Sequence, residues 1–383
     1  MTGAPLSALR PVYVAGIGMH PYQFPSETPY VRLGITAVRA ALADAGLVWP
    51  EVEAAYVGTT GIGMAAGRIL FRHLGSTGLA VTQVENASAS GSAAFRLACL
   101  EVASGRSDVA LALGVDKFGD AKRAAMKDGI ERLSDTAHVP AVKFALLARG
   151  YCREYGATPD DLARVAVKNH GNAARNPFAQ FRKPRTLEQV LASARVAGDL
   201  TALQCCPRGE GAAAAIVVSE AAIARLNMAR QRAVRVTASS LVSETLGNAD
   251  EPPVVTLARE AAQRAYAEAG IGPQDLDVVE LHDAFSVEEL IYTEAFGLCA
   301  PGEGARFLSS GASAIGGTCA VNGSGGLIGH GHPNGPTGLG QIADIVRQLR
   351  GENGERQHPG ARIGMAHMIG LGSVAIAHVL VKG

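Results

Sequence analysis

The chain has 383 residues, 48% of them apolar, and its 35 Lys+Arg balance 35 Asp+Glu, so the formal net charge is zero. This is the composition of a globular protein with two or three domain-sized cores, and it lacks the basic runs of a nucleic-acid-binding surface. No apolar run reaches the roughly 20 residues of a membrane span, and residues 1–19 lack a signal-peptide pattern. The six cysteines without CxxC spacing are typical of reduced thiols, so we predict a cytoplasmic α/β protein.

Strands and helices alternate along the first part of the chain. Residues 11–19 form a buried-strand pattern, and residues 30–47 form a helical pattern that ends near Gly46. Two strands follow, in "AAYVGTT" and "LAVTQVEN". Residues 91–105 form a helix that is apolar on nearly every side, which predicts a central, buried position, and residues 108–116 form another buried strand.

The composition and the predicted secondary structure change after residue 120. Charged residues become frequent between 121 and 200, and helical patterns such as "PAVKFALLARGYCREYG" replace the glycine-rich strands. We interpret this segment as an inserted, mostly helical subdomain. The strand "GAAAAIVVS" at 211–219 then resumes the earlier plan.

The second half repeats that plan. It contains a strand in "AVRVTASSLV", a helix at 254–270, a strand at 276–285, a helix opening near Thr337 and a strand at 370–381. The last strand echoes the one at 211–219. We therefore predict five α/β/α/β/α layers built by internal duplication. The N-terminal half would comprise 1–120 and 201–230, the insertion 121–200, and the C-terminal half 231–383.

Four loops carry the candidate reactive groups, because active groups of α/β proteins lie on loops at strand ends. They are residues 86–91, 282–285, 329–333 and 368–372. Ser88 in the first loop has two interpretations, a helix N-cap hydroxyl or a reactive hydroxyl. His330 and His332 form an H-x-H pattern without a suitably spaced third ligand, so we predict no metal. Cys205 and Cys206 are interpreted as buried small residues rather than a redox pair.

Several motifs in this order resemble the thiolase superfamily, and within it the sterol-carrier-protein-type and archaeal-type thiolases. They are "VAGIGM", "KNHGNAARNPFAQFR", "CCPRGEGAAAAIVVS", "ELHDAFSVEEL", "VNGSGGLIGHGHPNGPTGLGQI" and "HMIGLGS". Together they extend over essentially the whole chain. The resemblance implies the five-layered thiolase fold and chemistry on acyl-CoA thioesters.

The resemblance places Ser88 at the position of the nucleophilic cysteine, which carries the acyl group as a thioester. His332 matches the histidine that activates this nucleophile, and His282 matches a position that polarises the thioester oxygen. The backbone N–H groups of Ser88 and Gly370 match an oxyanion hole. His138, Asn322, Gly331 and Met368 are further candidate substrate-binding positions, although His138 could equally be a solvated loop residue.

Three positions depart from the thiolase pattern. A helix N-terminus can lower the pKa of a thiol to about 3.5–7.5, but a serine hydroxyl needs a base in contact. Ser88 should therefore acylate slowly or not at all, and it could be natural or an engineered replacement of cysteine. The second cysteine that moves the α-proton in many thiolases is replaced by Met368 and Ala284, neither of which carries a proton.

Three functions remain open from the sequence. The first is an acyl-CoA acyltransferase or condensing enzyme, with CoA thioester as substrate and no other cofactor. The second is a retro-aldolase on a β-hydroxyacyl-CoA that acts with a zinc-ribbon/OB-fold partner, although His332 argues against it. The third is a non-catalytic acyl-CoA-binding subunit. The family also implies a homodimer or homotetramer through the strand in "LAVTQVEN".

Overall fold

The computed structural model describes residues 5–117, 139–245, 251–371 and 373–383. The first half contributes five strands to a ten-stranded sheet. Its elements are β1 (Val12–Gln23), α1 (Tyr30–Ala45), β2 (Ala54–Gly58), α2 (Ala66–Arg72), β3 (Ala80–Val84), α3 (Ser90–Ala103) and β4 (Val109–Asp116). The fifth strand, β7, follows the helical segment.

The segment between β4 and β7 is mostly helical where it is described. Its elements are α4 (Val139–Tyr155), α5 (Pro159–Ala174), α6 (Leu187–Leu191), β5 (Arg195–Ala197) and β6 (Leu200–Thr201). β5 and β6 form a separate two-stranded sheet. The chain then returns to the large sheet through β7 (Glu210–Ser219) and continues into α7 (Glu220–Arg225).

The second half contributes the other five strands. Its elements are β8 (Val234–Ser243), α8 (Pro253–Ala269), β9 (Val278–Glu280), α9 (Ser286–Ala295), α10 (Gly304–Ser309), β10 (Ala320–Val321), α11 (Gly326–His330), α12 (Asn334–Arg350), β11 (Ile363–Gly370) and β12 (Val374–Val381). None of the described helices is long and apolar enough to cross a membrane.

The strand order demonstrates the predicted duplication. It runs β3-β2-β4-β7-β1 in the first half and β10-β9-β11-β12-β8 in the second, so each half places its own strands in the order third, second, fourth, fifth, first. Strand directions also correspond: β2 is parallel to β3 and β4, as β9 is to β10 and β11. The last strand of each half is antiparallel to both of its neighbours. The halves join where Val12–Val14 pairs with Val234–Val236.

Helices α3 and α12 form the central layer between the two half-sheets. Their buried side chains, including Phe95 and Leu339, pack into one core with residues from β1, β4, β7, β8 and β11. The two helices approach closely, since a Cβ added at Gly91 would lie 2.3 Å from the carbonyl oxygen of Gly335. α1 and α8 cover the outer faces of the first and second halves. The five-layered thiolase fold predicted from the sequence is therefore confirmed.

Two predicted boundaries were wrong. The helix expected near Thr337 begins at Asn334, because Pro333 restricts the chain just before it and can serve as its N-cap. Residues 368–370 were expected in a loop, but they end strand β11, which pairs with β12 up to Gly370. Gly370 marks close packing at this strand end rather than an irregular segment.

Candidate active site

Ser88 lies in a tight turn between β3 and α3. The preceding residue, Ala87, has a positive φ of 49°, a strained conformation for a residue with a side chain. Ser90, the first residue of α3, accepts the Asn86 N–H at 2.9 Å and donates to the Ala87 carbonyl at 2.6 Å, which fixes the turn. The N-cap interpretation of Ser88 is therefore wrong, because the N-cap residue of α3 is Ala89 and the Ser88 hydroxyl does not cap the helix.

The Ser88 hydroxyl contacts His332, which lies just before α12. Ser88 Oγ is 3.1 Å from His332 Nε2, and His332 Nδ1 is 3.0 Å from Thr337 Oγ1. Because the Thr337 hydroxyl donates its proton to the Pro333 carbonyl at 2.6 Å, it can only accept from Nδ1–H. Nε2 then carries the lone pair that accepts the Ser88 proton, so a base is in contact with this serine.

The duplication explains how these two groups meet. Ser88 precedes α3 and His332 precedes α12, and these helices follow the third strand of their respective half-sheets. The close packing of α3 on α12 brings their N-terminal ends together. A weaker contact at 3.4 Å joins Ser88 Oγ to Asn334 Oδ1, the first residue of α12.

The ring of His282 packs edge to face against the ring of His332. The two ring centroids are 5.5 Å apart and the rings are nearly perpendicular, at 89°. His282 is buried, and its Nδ1 lies 3.0 Å from Oε1 of the buried Glu288 on α9. The same carboxylate accepts the Phe285 N–H at 2.9 Å and the Tyr292 hydroxyl at 3.0 Å. Burial raises the pKa of Tyr292 well above its usual value and nearby Glu288 adds to this, so the phenol remains a donor.

The "HDAF" loop that carries His282 rests on a buried polar network. Asp283 accepts Asn169 Nδ2 at 2.7 Å and the Leu327 N–H at 2.6 Å. Burial and the adjacent Glu289 carboxylate raise the pKa of Asp283 well above its usual value. The sequence motif "KNHGN" therefore supports this loop from α5; Lys168 of the same motif pairs with Glu289 at 2.9 Å.

Asn322 belongs to the same network. Its Oδ1 accepts the Leu281 N–H at 2.9 Å and its Nδ2 donates to Glu289 at 3.1 Å, so its side chain is committed to holding the loop. The structure places this candidate substrate-binding residue in the polar network that supports the His282 loop. Its backbone φ of 54° matches the tight turn after β10.

Gly370 lies against the Ser88 turn. A Cβ at this glycine would come within 2.3 Å of the Asn86 carbonyl oxygen, so only glycine permits the approach. Met368, two residues earlier, is fully buried and packs in a small apolar cluster with Ala89 and Ala93 of the Ser88 segment. Strand β11 thus places both Met368 and Gly370 beside the Ser88 turn. The Met368 side chain contributes to the apolar cluster.

The remaining predicted residues lie apart from this contact. His330 is buried, and its ring stacks on Tyr22 with centroids 4.7 Å apart. Burial lowers the pKa of His330 to about 3. Gly331 has a φ of 111°, and a Cβ there would come within 2.7 Å of Gln180. His138 lies outside the described residues. In the described part of the chain, no group of three or more His, Cys, Asp or Glu could hold a metal ion.

The backbone of Cys205 and Cys206 pairs with the "HDAF" loop. The Cys206 N–H donates to the Ala284 carbonyl at 2.8 Å, and Cys205 forms an isolated antiparallel β-bridge with Phe285. Both carry free thiols. Burial raises the pKa of Cys205 to about 12 and that of Cys206 further, so both remain protonated.

A cavity of about 870 Å³ lies beside α9, the helix that follows this loop. It is lined by α4, the start of α8 and the end of α9, and its lining is largely apolar, with Leu147, Val255 and Ile291 among its residues. Phe144 of α4 stacks on Phe285 at 4.7 Å, which joins α4 to the "HDAF" loop. Ser88, His282 and His332 do not line this cavity.

Fold and site together define a duplicated α/β protein in which a serine hydroxyl contacts an imidazole base, as in enzymes that act through a covalent intermediate. The sequence matches two family descriptions, "Thiolase, N-terminal domain" over residues 17–189 and "Thiolase C-terminal domain-like" over 238–382. The chain belongs to the thiolase family and is a thiolase-family acyl-CoA enzyme. The resemblance stated from the motifs is confirmed.

Three relatives illustrate the range of the family. Benzoylsuccinyl-CoA thiolase subunit BbsB of Thauera aromatica is 38% identical over 95% of this chain and 95% of its own length. An acetyl-CoA acetyltransferase of Methanothermobacter thermautotrophicus is 36% identical over 97% of this chain and 99% of its own. Human sterol carrier protein 2 is 35% identical over 98% of this chain and 73% of its own.

Solved structures give the same fold. The Ltp2-ChsH2(DUF35) aldolase superposes with a TM-score of 0.84 at 27% identity, over 97% of this chain and 98% of that one. Human mitochondrial 3-ketoacyl-CoA thiolase superposes with a TM-score of 0.74 at 20% identity, over 99% of this chain and 100% of that one. Thus both a thiolase and an aldolase share this architecture.

Proposed function

We propose that the protein is an acyltransferase that carries the acyl group of an acyl-CoA on the Ser88 hydroxyl. The observation that supports this most directly is the 3.1 Å contact between Ser88 Oγ and His332 Nε2, with Nδ1–H held by Thr337. A binding subunit without chemistry would have no need of this oriented pair. CoA thioester is the substrate, and the chemistry needs no other cofactor.

The chemistry of loading follows from the hydrogen bonds. His332 Nε2 takes the hydroxyl proton while Ser88 Oγ bonds to the thioester carbonyl carbon. The C–S bond then breaks, and the CoA sulfur leaves with the proton from His332. We assign the oxyanion to the backbone N–H groups of Ser88 and Gly370, because Gly370 lies against the Ser88 turn. One such donor contributes about 3 kcal/mol to transition-state stabilisation.

A second candidate function is a retro-aldol lyase on a β-hydroxyacyl-CoA. It is favoured by the likeness to the Ltp2-ChsH2(DUF35) aldolase at a TM-score of 0.84 and 27% identity. In that case a second subunit with a zinc-ribbon/OB fold would complete the site. The oriented Ser88–His332 pair favours acyl transfer over this alternative.

We also propose that the protein forms a homodimer or homotetramer. β3 is an outer strand of the ten-stranded sheet, and Ala80, Thr82 and Gln83 on it are exposed. Such an unpaired edge is a natural site for pairing with a second copy. Light scattering after gel filtration gives the assembly mass that tests this.

Intact-protein mass after incubation with a panel of acyl-CoAs tests the acyl-enzyme. We expect a slow mass gain of one acyl group in the parent protein and at least a 100-fold faster gain in Ser88→Cys, because a thiolate is the stronger nucleophile. Ser88→Ala is the control that should gain no mass. Release of a carbonyl product from a β-hydroxyacyl-CoA, without any mass gain, would instead support the lyase.

A further inference from the structure

Carbon–carbon bond formation on an acyl-CoA requires a base that removes a proton from its α-carbon. The two positions where the resemblance implies a proton-carrying cysteine are Met368 and Ala284. Met368 is buried in an apolar cluster and Ala284 has no ionisable atom. The proton must therefore move through another group beside Ser88.

His282 has the hydrogen bonds of a base. The Glu288 carboxylate receives three donors: His282 Nδ1–H at 3.0 Å, the Phe285 N–H at 2.9 Å and the Tyr292 hydroxyl at 3.0 Å. A carboxylate with these partners can only accept, so the proton of a neutral His282 ring lies on Nδ1. Nε2 then carries a lone pair, which accepts a proton but cannot polarise an oxygen until the ring is charged.

We propose that His282 is the proton-transfer base of this enzyme and that Glu288 is its positioning residue. In the step, the α-carbon–hydrogen bond breaks and the proton bonds to His282 Nε2. The electron pair of that bond moves into the enolate of the thioester. When the enolate carbon bonds to the acyl carbon, the C–O bond to Ser88 breaks, and the proton that His282 releases restores the Ser88 hydroxyl. In the cleavage direction Nε2 gives its proton to the α-carbon of the departing enolate. This inference rests on the proposed acyl-CoA chemistry and specifies how its carbon–carbon step occurs.

The two histidines take different roles because their hydrogen-bond partners differ: His332 activates Ser88, and His282 removes the α-proton. His332 Nε2 is already engaged with the Ser88 hydroxyl, and its Nδ1 faces the neutral Thr337. His282 faces a buried carboxylate, which balances the positive charge that the ring gains on taking a proton. The His282 ring lies 5.5 Å, centroid to centroid, from the His332 ring, and His332 Nε2 is 3.1 Å from Ser88 Oγ, so His332 connects His282 to the nucleophile position.

Exchange of the acyl-CoA α-hydrogens in D2O, followed by mass spectrometry of the recovered thioester, measures this step alone. Exchange on free acyl-CoA needs no acyl-enzyme, so it is independent of whether Ser88 loads, which intact-protein mass reports separately. We expect His282→Gln to lower the exchange rate by about 100-fold or more, the usual contribution of a general base. Glu288→Gln should lower it about 10-fold, and Glu288→Asp should recover part of that loss.

The matched control is Glu294→Gln on the same helix, whose carboxylate contacts Tyr151 and Gly304 rather than His282. It should exchange at the parent rate. In the Glu288 variants kcat for exchange should fall with KM unchanged, while the mass gain at Ser88 continues. The proposal is overturned if the parent protein shows no exchange above buffer, if His282→Gln exchanges normally, or if Glu288→Gln loses acyl loading and exchange equally.

Discussion

His332 and His282 stand 5.5 Å apart, yet their surroundings are opposite in kind. His332 is half-buried and its Nδ1 faces a hydroxyl, whereas His282 is buried and its Nδ1 faces a carboxylate. A neutral partner orients an imidazole without adding charge, while an anionic partner also offsets the positive charge that a ring gains during a proton transfer. The pair teaches that two histidines in one site can be set for different proton transfers by what lies behind each ring.

The largest effect is expected from removing the imidazole of His332. His332→Ala leaves Ser88 without a base, so we expect the acylation rate in the mass assay to fall by about 1,000-fold, within the usual range for general base catalysis. The same substitution in a Ser88→Cys background should cost much less, since a thiol ionises more easily. An equal loss in both backgrounds would mean that His332 acts on something other than the nucleophile.

A smaller effect is expected from the partner of His332. Thr337→Val keeps the shape of the side chain but removes the oxygen that accepts Nδ1–H. We expect acylation to fall about 10-fold, because a lost neutral hydrogen bond costs roughly 1 kcal/mol and the ring orientation loosens. Alpha-hydrogen exchange through His282 should be unchanged in this variant. A loss of exchange as large as the loss of acylation would contradict the separation of the two histidines.

Much of this site could be predicted because its residues occur in ordered motifs with fixed neighbours. Ser88, His282, His332 and Gly370 were each found that way, and the structure brings them to the ends of adjacent elements. The repeated strand order likewise follows from two similar strand-and-helix patterns. These features depend on local sequence and on a fold whose two halves repeat.

What sequence did not provide depends on contacts between distant segments. Glu288 carried a local signal, a glutamate three residues into the helix after "HDAF", but that pattern predicts a helix cap rather than a histidine partner. Thr337 had no signal, since its role depends on how Pro333 turns the chain. The end of strand β11, residues 368–370, was expected in a glycine-rich loop because its regular structure comes from pairing with β12.

The smallest predicted effect concerns His367. Its ring packs against Tyr292, whose hydroxyl donates to the Glu288 carboxylate beside His282. Its ring is fully buried against Tyr292 and Phe296, with centroids at 5.3 and 4.9 Å, and neither ring nitrogen has a hydrogen-bond partner among the described residues. Burial, and then the charge of nearby His282, lower the pKa of His367 well below 6.5. The folded protein therefore keeps this ring neutral.

Because the unfolded chain binds a proton at His367 below about pH 6.5 and the folded chain does not, the free energy of unfolding falls as pH falls through that value. His367→Phe keeps the edge-to-face ring contacts but cannot titrate. Relative to the parent, we expect the variant to gain about 2 kcal/mol on going from pH 7 to pH 5 in urea unfolding. His73→Gln, at an exposed position, is the control that should follow the parent at both pH values. If the His367→Phe difference is the same at both pH values, the buried ring takes up a proton in the folded state, and burial against Tyr292 and Phe296 does not keep it neutral.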